Sequence, residues 1–117
     1  MSAMGDFKEG VHDLGNGNYA YLQDPNQGSG WGWSNGGLIT DHDQSLLVDT
    51  LRDENLTLKM LDALRDATGL AACDIGTLVN THRDADHTYG NRLMQHARII
   101  AAEACVAGMK ELSPDLM

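Results

Sequence analysis

The chain lacks any run approaching the roughly 20 apolar residues that cross a bilayer, although 42% of its 117 residues are hydrophobic. No membrane span is therefore expected. Positive charge is scarce, with 8 Lys and Arg against 17 Asp and Glu, a formal net charge of −9. Gripping nucleic acid by its phosphates needs clustered Lys and Arg, so a nucleic-acid partner is not expected. Most of the acidic residues read as solvated surface, but carboxylates gathered in one place can be neutralised by a bound cation. Cysteine is nearly absent. Cys73 and Cys105 form no C-x-x-C pair and sit in the apolar contexts "LAACDIG" and "AAEACVAG", so both are expected to be buried thiols. A disulfide is not expected in a reducing compartment. The opening "MSAMGDFKEG" has neither a basic start nor an apolar run, so a secretory leader is not expected and the cytoplasm is the expected location. No internal repeat is visible, and 12.7 kDa gives room for one small domain or part of a larger one.

What is present alternates in a readable way. "GVHDL" and "NYAYLQ" are β-prone and flank the turn signal "GNG", which predicts a hairpin. "DPNQGSG" (24–30) predicts a loop, and a strand is expected from Trp31 to Thr40, loosened by Gly36 and Gly37. "SLLVDT" (45–50) reads as a buried strand. "DENLTLKMLDALRDATG" places Leu58, Leu61, Leu64 and Ala67 at helical spacing, with Met60 widening the stripe. Asp53 and Glu54 suit its first turn and Gly69 its C-terminal cap. "IGTLVNTH" (75–82) predicts another buried strand, "YGNRLMQH" a short helix, "ARIIAAE" a strand, and "ACVAGMKEL" a helix stopped near Pro114. Strands first and then β–α–β–α alternation imply parallel pairing through helical crossovers.

The chemistry concentrates in "NTHRDADHTYGN" (80–91), where a strand's C-terminal end meets a helix, the edge at which α/β sheets bind ligands. If the backbone stays extended, His82, Asp84 and Asp86 share one side, because strand side chains have a period of two. His87 can then reach in from the turn. Two carboxylates held that close repel unless a proton or cation intervenes. Imidazole with carboxylate is a ligand mixture that zinc, iron or manganese accepts. Two other readings compete. In one, Asp84 merely caps the next helix and the histidines are incidental. In the other, His82 or His87 is a general base oriented by an Asp, which requires a nucleophile. No Ser or Cys sits at a strand-to-helix turn of the nucleophile-elbow kind: Ser34 in "GWSNG" matches G-x-S-x-G by letter but lies in a run read as loop and strand.

This stretch resembles the H-x-H-x-D-H motif of the metallo-β-lactamase superfamily, with Thr81 before the first His and Gly90-Asn91 soon after the last. "SLLVDT" resembles the family strand that ends in an Asp supporting the metal loop, here Asp49. The resemblance covers nearly the whole chain. It implies an α/β fold: the N-terminal half of a metallo-β-lactamase-like αββα sandwich, a mixed sheet flanked by helices, with residues 1–117 as a single partial domain. It implies His82 and Asp84 at a first metal position and Asp86 and His87 at a second, with zinc the leading ion, one or two per site, and iron or manganese as alternatives. Metal-activated water would attack an ester, thioester or lactam carbonyl, oriented by Asp86 as catalytic residue and supported from behind by Asp49.

The sequence departs from the pattern twice. Asp84 stands where the family has its second His, giving H-x-D-x-D-H, a harder and more anionic first position. The family's second half, which supplies further His and Asp ligands, has no counterpart: no His follows His96. A metal-dependent hydrolase incomplete in this chain is therefore one expectation. The other is a non-catalytic metal-binding or interaction module that assembles with another chain, as a homo-oligomer or with a C-terminal half. "GSGWGWSNGG" allows Trp31 and Trp33 to form an aromatic flap over a small-molecule substrate, although a glycine-rich turn feeding a strand is the plainer reading. His12, His42 and His96 stand alone and are expected at the surface or satisfied. Met94, Met109 and Met117 read as packing residues or chain end.

Overall fold

The computed structural model describes residues 8–24 and 33–112, with backbone only for 109–112. Trp31, Met117, the region of Pro114 and nearly all of the loop expected at 24–30 lie outside the described residues, as does the Met109 side chain.

Six strands form one mixed sheet whose spatial order follows the chain. β1 (Gly10–Gly15) and β2 (Asn18–Leu22) make the expected hairpin. Asn16 and Gly17 both have left-handed φ (55° and 82°), which a tight hairpin turn of this hand requires. β3 (Gly36–Asp41) and β4 (Gln44–Val48) continue antiparallel. β5 (Thr77–Asn80) and β6 (Arg98–Ala101) add in parallel, as the β–α–β order requires. β3 begins at Gly36, not at Trp31 as expected. A Cβ on Gly36 would run into Met60 Sδ at 2.7 Å, so this glycine lets the helix lie close on the sheet.

Helix α1 (Glu54–Thr68) starts where Asp53 Oδ1 accepts a hydrogen bond from the Leu56 N–H (2.7 Å) and ends at Gly69, φ 81°, whose N–H reaches Arg65 O at 2.7 Å. Its buried face is Thr57, Met60, Leu61 and Leu64. The expected stripe is thus rotated: Leu58 and Ala67 are exposed. The buried Thr57 accounts for the rotation, because its Oγ1 accepts from the Leu51 N–H (3.0 Å) and donates to Asp53 O (2.8 Å), fixing that face inward.

Strand alternation sorts the sheet into two faces. Tyr19, Leu38, Leu47, Leu78 and Ile99 lie side by side on one face and pack with Met60, Leu61, Leu64 and Met94 into the core. The other face carries the rows Ala20–Gly37–Val48–Val79–Ile100 and Asn18–Ile39–Leu46–Thr77–Arg98. It is apolar yet open: Ile39 is 47% exposed and Ile100 41%.

The two remaining crossover pieces are short. α2 (Ala85–Thr88) is a single turn, and Asn91–Met94 is a 3₁₀ turn rather than the expected helix over "YGNRLMQH". Asn91 is buried and its amide donates to Asn80 Oδ1 (2.7 Å), a long-range bond that anchors this turn to the end of β5. α3 (Glu103–Leu112) follows β6. The lone histidines are as expected: His42 is exposed, His12 bonds Lys8 O, and His96 Nε2 lies within hydrogen-bond reach of Ala72 O and Ile75 O. The cysteines are not. Cys73 is exposed because it lies in the 3₁₀ turn Ala72–Asp74, which has no buried residue, and Cys105 is half-buried.

Gly90 packs directly under α1, where an added Cβ would overlap the Thr57 side chain. Gly90→Ala should destabilise the fold by about 1–3 kcal/mol through overpacking. Urea unfolding followed by circular dichroism checks this; an unchanged midpoint would mean that α1 does not sit against Gly90.

Candidate functional site

The site grows from the end of β4. Asp49, the next residue, is 3% exposed and holds a left-handed φ of 67°. Asp tolerates that conformation better than most residues. Its N–H continues the ladder to Val79 O (2.8 Å), so the backbone turns only after pairing with β5. The carboxylate is then placed to collect three donors. Oδ1 accepts from the Thr81 N–H (2.7 Å), and Oδ2 accepts from Thr81 Oγ1 (2.5 Å) and from His87 Nδ1 (2.9 Å). Thr81 leaves β5 to make these bonds, which is why that strand ends at Asn80 and not at residue 82.

An ionised carboxylate only accepts, so His87 carries its proton on Nδ1. In its neutral form the ring then presents its lone pair at Nε2. That atom lies 3.6 Å from Asp86 Oδ2, and both side chains are 23% exposed. His87 is thus prepared as a ligand or base, backed by a buried carboxylate in the manner of metal-bound histidines. His82 is arranged differently. Its Nδ1 accepts from the Asp84 N–H (3.1 Å), with the Asp84 carboxylate 3.3 Å away, and both residues are more than half exposed. The two imidazole centroids are 5.1 Å apart and tilted by 32°.

The backbone does not stay extended through the motif. It bends at 83–84 and enters α2 at Ala85, so His82, Asp84 and Asp86 do not share one strand face. The donors form two pairs, His82–Asp84 and Asp86–His87, and among the described residues no group of three or more His, Cys, Asp or Glu is placed to hold an ion. Asp84 occupies the N-cap position of α2 but its side chain makes no capping bond. Thr88 Oγ1 instead ties the turn by donating toward Asp84 O (3.1 Å).

Several contributors lie outside the motif as read from sequence. Ser34 Oγ donates to Asp86 O, joining the segment before β3 to α2. Trp33 is half-buried, next to this contact. A shallow cavity of about 320 Å³ beside the motif is lined by Thr81, His82, Arg83, Ala104 and Cys105. Burial pushes the Cys105 thiol up, with the negative charge of Asp49 adding to it and Arg83 opposing. It therefore stays protonated at neutral pH and does not supply the thiolate that a nucleophilic reading needs.

The family model of the metallo-β-lactamase superfamily matches residues 29–117. The chain belongs to the metallo-β-lactamase superfamily. Solved structures agree at the level of fold. The metallo-β-lactamase from Hirschia baltica is 22% identical with a TM-score of 0.69, covering 89% of this chain and 48% of its own. The FIM-1 metallo-β-lactamase from Pseudomonas aeruginosa, in its mono-zinc form, is 22% identical with a TM-score of 0.67, covering 86% and 45%. The metallo-β-lactamase from Pontibacter korlensis is 14% identical with a TM-score of 0.71, covering 92% and 49%. This chain therefore spans about half the length of these enzymes. No curated protein matches it. The mixed sheet with its helices is the metallo-β-lactamase-like architecture. A divalent ion fits the donor chemistry of residues 82–87 in part: imidazole and carboxylate are present, but only as pairs, where a closed site takes three or four protein ligands.

Asp49→Asn separates the carboxylate from the backbone turn, because Asn also tolerates left-handed φ. Hydrogen bonds to a charged group contribute about 1.5–3 kcal/mol, so Asp49→Asn should destabilise by about that amount. Asp49→Ala should cost about 1 kcal/mol more, since it adds left-handed strain. Denaturant titration of both variants tests the order; equal stability of parent and Asn variant would show that the carboxylate does not anchor Thr81 and His87.

Proposed function

We propose that this chain is the N-terminal half of a metal-dependent hydrolase domain of the metallo-β-lactamase type. His82, Asp84, Asp86 and His87 are its share of the metal donors. The single observation that carries this reading is the Asp49–His87 pair: a buried, fully bonded carboxylate that leaves His87 Nε2 beside Asp86. A divalent ion held there, zinc foremost, would supply the acidity that turns water into a nucleophile for an ester, thioester or lactam carbonyl. Asp49 fixes the tautomer and direction of His87. Asp86, whose backbone is held by Ser34, presents a carboxylate able to accept a proton from water and orient it. His82 and Asp84 form the other donor pair, and Trp33, next in the chain to Ser34, is assigned on this reading to the edge of the substrate site.

A second reading rests on a separate observation, the open apolar face bearing Ile39 and Ile100. On that reading the chain is a binding or interaction module completed by another chain or by a second copy. The completeness of the donor set separates the two: a hydrolase needs ligands beyond the two pairs. Among the described residues no helix is long and apolar enough to cross a membrane.

The metal assignment is tested by elemental mass spectrometry with calorimetric titration of zinc and manganese. The parent should bind weakly, and the variant with Ala at 82, 84, 86 and 87 should not bind. Equal binding by the two would remove the site.

The chain alone should not turn over thioester, lactone or β-lactam substrates, with or without added metal. It should self-associate through the open face, and Ile39→Lys should shift it toward monomer. Light scattering beside a substrate panel measures both. A stable monomer active at enzyme-like rates, with activity lost in Asp86→Ala, would overturn the half-domain reading.

A further inference from the structure

Three buried side chains outside the donor set surround the main chain of His87. Thr50 is fully buried, Asn80 is 3% exposed and Asn91 1%. The His87 carbonyl accepts from the Thr50 N–H (3.0 Å) and from Asn80 Nδ2 (3.1 Å), with Thr50 Oγ1 at 3.3 Å. Thr50 has one hydroxyl proton, and the closer acceptor is Asn91 Oδ1 at 2.8 Å. Thr50 Oγ1 itself accepts from the Gly90 N–H (3.1 Å), which closes the ring of bonds around the turn. Asn91 Nδ2 in turn donates to Asn80 Oδ1 at 2.7 Å. That bond fixes which way the Asn80 amide faces. With its oxygen held by Asn91, its NH₂ must point to the His87 carbonyl; a flipped amide would set oxygen against oxygen.

α2 is a single turn and cannot hold its own direction, because helix formation has a costly nucleus. The direction of His87 is set from outside, by the ends of β4 and β5 through Thr50 and Asn80. We propose that Asn91, acting through the Asn80 amide and the Thr50 hydroxyl, is a positioning residue that aims the His87 imidazole at Asp49 and so directs Nε2 to the metal side. The device rests on the metal reading above only for its purpose; its effect on His87 is independent of any ion.

The test uses Asn91→Ala, Thr50→Val and the conservative Thr50→Ser in the full chain, with folding checked by circular dichroism. The first readout is the low-field proton resonance of His87 Nδ1–H shared with Asp49, assigned by its loss in His87→Gln. The second is zinc affinity by competition with a chromophoric chelator. Asn91→Ala and Thr50→Val should shift or broaden the resonance and weaken zinc binding about tenfold, the usual size of an outer-shell effect. Thr50→Ser should keep both parent values. Folded Asn91→Ala and Thr50→Val proteins with the parent resonance and affinity would overturn the proposal. If the parent binds no zinc but the resonance moves as expected, the metal reading falls and the positioning role stands. If neither variant folds, hydrogen exchange in the parent decides. The His87 ring proton should show the same opening free energy as the Asn80 and Asn91 side-chain amides, after each rate is divided by its intrinsic exchange rate, and a His87 proton with markedly lower protection than the amides overturns the proposal.

Discussion

A buried carboxylate without partners is among the most costly groups a fold can contain, and Asp49 is such a carboxylate with all its partners found. Most of the local structure answers to that requirement. The left-handed turn at the end of β4 aims the side chain across the top of β5. Thr81 abandons strand geometry to give it two hydrogen bonds. His87 is drawn in from the next turn to give the third, and its tautomer follows from that duty. Parallel pairing of β4 with β5 is what makes the arrangement reachable, because it brings both C-terminal strand ends to one edge.

The polar layer beneath His87 obeys the same logic. Among the described residues no buried side-chain nitrogen or oxygen lacks a partner. Thr50, Asn80 and Asn91 achieve this by bonding to one another and to the main chain around the motif, with Thr57 bridging toward α1. The network thus links the helix that covers the sheet to the turn that carries the donors. A site placed on so short an element as α2 needs that support, since one turn of helix contributes little rigidity of its own.

Local signals carried much of the fold. The hairpin at Asn16-Gly17, the Asp53 and Gly69 caps of α1, and the parallel addition of β5 and β6 all follow from turn chemistry, capping and element order. What did not follow was decided by long-range polar contacts. The rotation of α1 depends on Thr57 facing Leu51, a contact invisible to an apolar periodicity. The motif's residue types and its support by Asp49 were legible, but its shape was not. An extended run is the natural reading of H-x-D-x-D-H, yet bends at 83–84 and a helix from Ala85 split the donors into pairs. Asn91 entered only as part of the motif's resemblance, and the burial of Asn80 and Asn91 carried no signal, because a buried Asn and a loop Asn look alike in sequence. Cys73 misled for the opposite reason: apolar neighbours do not bury a residue that lies in an exposed 3₁₀ turn.

The open sheet face and the unfinished donor set have one physical explanation on the proposed reading. An α/β layer is stable when both faces of its sheet are covered, and among the described residues the core packs on the α1 side while Ile39 and Ile100 on the other face are exposed. A sheet packed in the aligned way over Ile39, Val48, Val79 and Ile100 would run within about 30° of these strands, so its ends would lie near the edge that carries His82–His87. Elements completing the sheet would therefore arrive beside the donors, and loops from their ends would face the pairs across the gap. On that reading, covering the apolar face and completing the metal site would be one event: burial of the face would supply the binding energy, and the incoming loops the ligands. The self-contained part of the design, Asp49 with Thr81 and His87, is the part that must already be in place when that happens.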